Sequence, residues 1–83
     1  MYKYINIINL YEKLKNTIPV EISKWYDGCQ LKVNGLDDLD VIECTGSYGL
    51  EVRDGYLKGH NKIRGDQTIE QVIRRIKRRL KSA

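Results

Sequence analysis

The stretch VEISKWYDGCQLKVNG, residues 20–35, decides the fold class because its apolar residues recur at every second position. Tyr26-Asp27-Gly28 interrupts this alternation and is typical of a turn. Asn34-Gly35 then predicts a two-residue hairpin, since a type I′ turn needs two residues that tolerate positive φ. The stretch therefore predicts two antiparallel strands joined by a tight turn.

Further short strands are predicted after this hairpin. Residues 40–45 and 50–53 have strand character, with the turn Gly46-Ser47-Tyr48-Gly49 between them. Asp54-Gly55 is a second hairpin signal, after which residues 56–58 complete a meander. Residues 59–67, GHNKIRGDQ, show no periodicity and are predicted to form a loop. The sequence thus predicts three to five antiparallel strands.

A helix is predicted at each end of the chain. The first covers residues 7–17, with Asn6 as its N-cap and Pro19 as its stop signal. The second follows a capping box formed by Thr68 and Gln71. Its apolar stripe consists of Ile69, Val72, Ile73, Ile76 and Leu80. Because each helix has one apolar stripe and the sheet has one apolar face, the prediction is a single two-layer α+β domain spanning residues 1–83, with both helices on the same face.

Length and composition limit the possible functions. A chain of 83 residues buries only about two thirds of its unfolded surface, which leaves little room for a deep active-site cleft. No apolar stretch approaches the roughly 20 residues that span a bilayer, and the first residues lack signal-peptide features, so we expect a cytoplasmic protein. Cys29 and Cys44 are predicted to be buried thiols, with a disulfide between adjacent strands as the alternative.

Charge is divided unevenly along the chain, whose net charge is +4. Residues 27–54 carry seven acids and two bases, whereas residues 68–83 carry six bases and one acid, Glu70. The six bases form the candidate binding surface: Arg74, Arg75, Lys77, Arg78, Arg79 and Lys81. They fill the positions that the apolar stripe leaves open. One interpretation is a solvated helix face, since cations suit a helix C-terminus. The absence of acids after Glu70 favours the other interpretation, an anionic partner, because like charges four residues apart repel.

The partner has two interpretations. Nucleic acid would be bound without sequence preference, since arginines suit phosphate but no helix-turn-helix, zinc-finger or RNP pattern is present. The other interpretation is an acidic protein surface, alone or in a complex with nucleic acid. The same arginines would bind that surface, and tyrosine and tryptophan side chains of this chain would supply apolar contacts. The candidate interface aromatics are Trp25, Tyr26, Tyr48 and Tyr56. A homodimer contact through Tyr2, Tyr4 and Tyr11 is a further alternative, and no membrane partner is expected.

Catalytic chemistry is not predicted. His60 is the single histidine, and nothing in the sequence connects it to a nucleophile. Asp37, Asp38 and Asp40 lack the spacing of a calcium loop and are interpreted as turn residues. The cysteines do not supply a zinc-ligand pair, and Gly46-Ser47-Tyr48-Gly49 lacks a phosphate-loop pattern. The sequence therefore predicts no catalytic residue, metal or cofactor.

Two resemblances bear on function. The order helix, antiparallel sheet, helix resembles double-stranded RNA-binding domains, although Asp66, Gln67 and Thr68 stand where that family has a lysine-rich helix start. The pattern T-x-E-x-V-x-x-R-I at residues 68–76, together with the Ser47-Tyr48-Gly49 turn, resembles small proteins of Gram-positive phages and prophages. That resemblance implies a small stoichiometric inhibitor or adaptor without catalysis, of the kind that includes anti-CRISPR proteins.

Overall fold

The structure is a computed structural model that describes residues 5–44, 49–55 and 62–82. Its elements, in chain order, are α1 (Ile5–Leu14), β1 (Val20–Trp25), β2 (Gly28–Val33), β3 (Leu36–Glu43), β4 (Leu50–Asp54), β5 (Lys62–Gln67) and α2 (Ile69–Ser82). Within the described residues, the strands form one antiparallel sheet in the order β1-β2-β3-β4-β5. The predicted succession of a helix, an antiparallel meander and a helix is confirmed.

Both helices contribute to one hydrophobic core, which lies against one face of the sheet. The core side chains of the helices are Ile7, Leu10 and Leu14 from α1 and Val72 and Ile76 from α2. They pack with Leu31, Val41 and Val52 of the sheet, among others. Burying each such side chain contributes about 1.5–3 kcal/mol, so this single cluster holds the two layers together. The two-layer α+β prediction is confirmed.

Neither helix, over the residues described, is long and apolar enough to cross a membrane.

Helix α1 begins earlier than predicted and is capped by a residue from the sheet. The helix starts at Ile5, so Asn6 lies within it and the prediction of Asn6 as N-cap is wrong. The backbone amide of Ile7 instead donates a hydrogen bond to Oε1 of Glu43 over 3.1 Å, and Asn6 Nδ2 donates to Oε2 over 2.8 Å. A carboxylate near the helix N-terminus also interacts favourably with the helix dipole. Strand β3 thereby holds the first turn of α1 against the sheet.

Strand β5 corrects the prediction of a loop at residues 59–67. Residues 62–67 pair with β4, from Asp54 opposite Lys62 to Leu50 opposite Gln67. A register shift between Leu50 and Val52, and a positive φ of 57° at Asp66, make this strand irregular. Such an irregularity disrupts the two-residue period by which strands are recognised in a sequence. The predicted strand at 56–58 and most of the predicted turn at 46–49 lie outside the described residues.

The hairpin turns depend on glycines for two different reasons. Gly35 has a φ of 96°, but Asn34 does not have a positive φ, so the predicted type I′ turn is wrong although the hairpin is present. Gly28 is required by space, because a Cβ atom there would lie 2.0 Å from the backbone oxygen of Glu43. The chain therefore approaches β3 closely at the start of β2.

Candidate anion-binding surface

The six basic residues of α2 fall into two groups, of which the first faces the sheet. Arg79 Nη2 donates a hydrogen bond to Asp38 Oδ1 over 2.7 Å, and Arg79 Nη1 donates to Asp54. Arg75 Nη1 donates to Asp54 Oδ2 over 3.1 Å. The side chains of Arg75 and Arg79 are only 22% and 27% exposed. These two arginines therefore tie α2 to the ends of β3 and β4.

The second group points away from the core. Arg74, Lys77, Arg78 and Lys81 are exposed, and no carboxylate in the described part of the chain pairs with them. We call these four residues the exposed basic face. Their position follows from the helical period, because Val72 and Ile76 occupy the opposite side of α2. Four like charges without a paired carboxylate create a positive potential that attracts anions.

A groove runs between α2 and β5 beside this face. Its lining consists of Arg64 and Gln67 from β5 and Gln71, Arg74, Arg75 and Arg78 from α2. The groove has a volume of about 250 Å³, and its described lining contains no carboxylate. Arg64 stands opposite Val52 in the strand register, which directs its side chain to the helix-covered side of the sheet. Two separate elements thus bring four arginines to one groove.

Gln71 is held in this groove by the predicted capping box, which is confirmed. The amide of Thr68 donates to Gln71 Oε1 over 2.8 Å, and the amide of Gln71 donates to Thr68 Oγ1 over 3.2 Å. Because the side-chain oxygen of Gln71 is an acceptor in the first of these bonds, its Nε2 group is left with donor hydrogens. The groove therefore presents a neutral hydrogen-bond donor in addition to the guanidinium groups.

The opposite face of the sheet carries a cluster around a buried carboxylate. Asp40 is fully buried and accepts hydrogen bonds from Gln30 Nε2 over 2.6 Å, from Arg53 Nε over 2.8 Å and from Arg53 Nη2. The guanidinium carbon of Arg53 lies 4.5 Å from the centre of the Trp25 ring. Trp25 in turn makes an edge-to-face contact with Tyr26, whose side chain is 83% exposed. Of the candidate interface aromatics that the structure describes, Trp25 is half-buried and Tyr26 is exposed.

The acidic segment of the chain is largely used within the protein. Asp38 and Asp54 bind the arginines of α2, Asp40 binds Arg53, and Glu43 caps α1. Asp37 and Asp38 lie in strand β3 rather than in a turn, so their interpretation as turn residues is wrong. Asp40 lies in the same strand, as the prediction of a strand at residues 40–45 implied, although β3 begins four residues earlier, at Leu36. Within the strand, Asp38 is paired with Arg79 and Asp40 with Arg53.

The remaining candidate residues are placed as follows. Cys29 and Cys44 are each half-buried and are not joined by a disulfide, so the prediction of buried thiols is wrong and the alternative of a disulfide is not realised. Within the described residues, no three potential ligands come together in a group that could hold a metal ion. Tyr2, Tyr4, Tyr48, Tyr56 and His60 lie outside the described residues.

Sequence reasoning missed Arg64 and the Asp40–Arg53 pair. Lys62 and Arg64 alternate with Ile63, a short two-residue period that could have indicated β5. The ion pair had no such local signal, because Asp40 and Arg53 are 13 positions apart.

No family model, curated protein or solved structure matches this chain. The candidate site therefore rests on the arrangement of the chain's own residues.

Proposed function

We propose that this protein is a non-enzymatic binding protein that engages the phosphate backbone of nucleic acid through the exposed basic face of α2. The observation that carries this proposal is the absence of ionic partners for Arg74, Lys77, Arg78 and Lys81 within the described residues. A helix that served only to close the core would not need four cations on its outer side, because like charges along a helix repel. An anionic partner offsets that repulsion.

The composition of the exposed basic face fits contacts with backbone phosphates better than contacts with base edges. Cations that neutralise phosphates release condensed counterions, which gives affinity without sequence information. The exposed basic face contains two arginines and two lysines on one helix, a composition suited to phosphate oxygens. We therefore expect binding that is independent of sequence and steeply dependent on salt.

The test is a fluorescence-anisotropy titration of labelled single-stranded and double-stranded DNA and RNA. Four phosphate contacts predict a slope of about −3 to −4 in a plot of log affinity against log salt for a duplex. The double variant Lys77→Glu, Lys81→Glu should abolish most of the binding, because it reverses two charges on the face. Neither residue contacts the core, so the fold should be retained.

A matched control reverses two exposed lysines elsewhere. Lys13 on α1 and Lys24 on β1 are exposed, so Lys13→Glu, Lys24→Glu changes the net charge by the same amount. The control should bind within a few-fold of the wild-type protein. If both double variants lose the same affinity for nucleic acid, the loss follows from net charge, and the proposal of a localised binding surface is wrong. No binding of any nucleic acid at low salt would reject the proposal.

A second candidate function is supported by the aromatic pair at the β1–β2 turn. The exposed ring of Tyr26 lies beside Trp25, and Tyr and Trp are enriched at the centres of protein interfaces. In this alternative the protein is a phage-type inhibitor or adaptor that binds an acidic protein surface. The substitution Tyr26→Ala distinguishes the two functions, since it should weaken a protein complex and leave nucleic-acid affinity unchanged.

A further inference from the structure

The groove between α2 and β5 has the wrong size and lining for a free small-molecule ligand. Its volume of about 250 Å³ lies below the roughly 300–1,000 Å³ of typical small-molecule sites. Such sites are lined mainly by apolar side chains. The lining here consists of four arginines and two glutamines. A ligand for this groove is therefore a compact anionic group that belongs to a larger molecule.

The arginines of the groove are available to hold such a group. Arg64, Arg74 and Arg78 make no ion pair with any described residue, and their guanidinium groups come from two different elements. Arg75 gives one N–H to Asp54 and keeps other donors. Guanidinium groups bind tetrahedral phosphate oxygens through paired, parallel hydrogen bonds. Donors on both sides of a groove can bind several oxygens of one phosphate at once.

We propose that this groove receives a phosphate group of a nucleic-acid strand, held between Arg64 of β5 and Arg74 and Arg78 of α2, with Gln71 Nε2 as a neutral donor. This inference rests on the proposed function, because the exposed basic face brings the strand to the groove. It also gives β5 a role in binding, whereas binding through the exposed basic face of α2 alone would not involve β5. The phosphate is either a backbone diester or the monoester at a strand end.

The experiment compares charge-conserving substitutions inside and outside the groove. Arg64→Lys keeps the charge and removes the fork of parallel donors, so nucleic-acid affinity should fall several-fold. Arg64→Gln also removes the charge and should lower affinity by at least about tenfold. The reciprocal control, Lys13→Arg on α1, lies outside both the groove and the exposed basic face and should leave affinity unchanged. Arg64 is exposed, so far-ultraviolet circular dichroism should show an intact fold for each variant.

The source of the phosphate is resolved with strands that carry or lack a 5′-phosphate. A preference for the phosphorylated strand that disappears in Arg64→Gln assigns the terminal monoester. Equal affinity for both strands, with the same loss in Arg64→Gln, assigns the backbone diester. Either result supports the groove as a phosphate site.

Two results would overturn the inference in distinguishable ways. If the wild-type protein binds nucleic acid and Arg64→Lys and Arg64→Gln bind equally well, the groove is not a phosphate site, whereas the proposed function stands. If the wild-type protein binds no nucleic acid at low salt, the proposed function fails and the inference fails with it. Binding of an acidic polypeptide in place of nucleic acid belongs to this second result.

Discussion

Glu43 of β3 accepts a hydrogen bond from the backbone amide of Ile7, 36 positions earlier in the chain, and so ties the first turn of α1 to the sheet. The bond is buried, and the first amide groups of a helix have no partner within the helix. The carboxylate of Glu43 therefore acts as an N-cap supplied from another element. Its effect on stability can be measured directly.

The substitution Glu43→Ala should lower the free energy of unfolding by about 1–3 kcal/mol, because it leaves a buried amide without an acceptor. Urea unfolding followed by circular dichroism measures this loss. Glu43→Gln keeps an oxygen that accepts from Ile7, so it should cost less than Glu43→Ala. If the two variants are equally stable, the hydrogen bond to Ile7 contributes nothing to α1.

The pair Asp40 and Arg53 should be strongly coupled. Arg53→Ala leaves a fully buried carboxylate without its cation and should cost about 3–5 kcal/mol. The double variant Asp40→Ala, Arg53→Ala should be less destabilised than the sum of the two single variants, by about 0.5–3 kcal/mol. Additive losses would show that the pair does not act as a unit. Arg53 lies over the ring of Trp25, which is the single tryptophan of the chain. The tryptophan fluorescence emission should therefore also change in Arg53→Ala.

Gly28 should not tolerate a side chain. An added Cβ would lie 2.0 Å from the backbone oxygen of Glu43 and 2.7 Å from Cα of Cys44, and these backbone atoms belong to the central strand and its end. We expect Gly28→Ala to cost at least about 1–3 kcal/mol, as other overpacked sites do. The matched control is Gly65→Ala, whose Cβ would meet nothing closer than 3.8 Å. The control should be neutral or stabilising by up to about 1 kcal/mol, and an equal loss at both positions would contradict the steric explanation.

The basic residues of α2 should differ in their effects on stability. Arg79 binds two carboxylates, so Arg79→Ala should lower the free energy of unfolding by about 1.5–3 kcal/mol. Lys77→Ala on the exposed basic face should change it by less than about 0.5 kcal/mol. Thermal and urea unfolding of both variants test this difference. Equal stabilities would mean that α2 is held by its apolar stripe alone.

The parts of the fold that the sequence predicted depend on local patterns. The stripe of α2, the capping box of Thr68 and Gln71, and the alternation of β1 and β2 each repeat within a few residues. Strand β5 and the N-cap of α1 depend on partners elsewhere in the chain. Glu43 gives no local sign that it caps α1, and β5 is irregular beyond the short two-residue period of residues 62–64.

The candidate site shows the same division. The sequence identified six cations on one helix, but a helical wheel does not show which of them meet acids from other elements. Arg79 and Asp38 are 41 positions apart, and Arg75 and Asp54 are 21 positions apart. Arg64 joins the arginines of α2 only because β5 pairs with β4 in a register that places it opposite Val52. Contacts at such separations follow from the tertiary fold rather than from spacing.

The order of strands in the sheet is the order of strands in the chain, which has a kinetic consequence. The pairing of β1 with β2 and of β2 with β3 each closes a loop of two residues, Trp25 to Gly28 and Val33 to Leu36. Short loops cost little closure entropy, so this part of the sheet can grow one hairpin at a time. Helix α1 precedes the sheet in the chain, yet its first turn gains the hydrogen bond to Glu43 only after the third strand has formed.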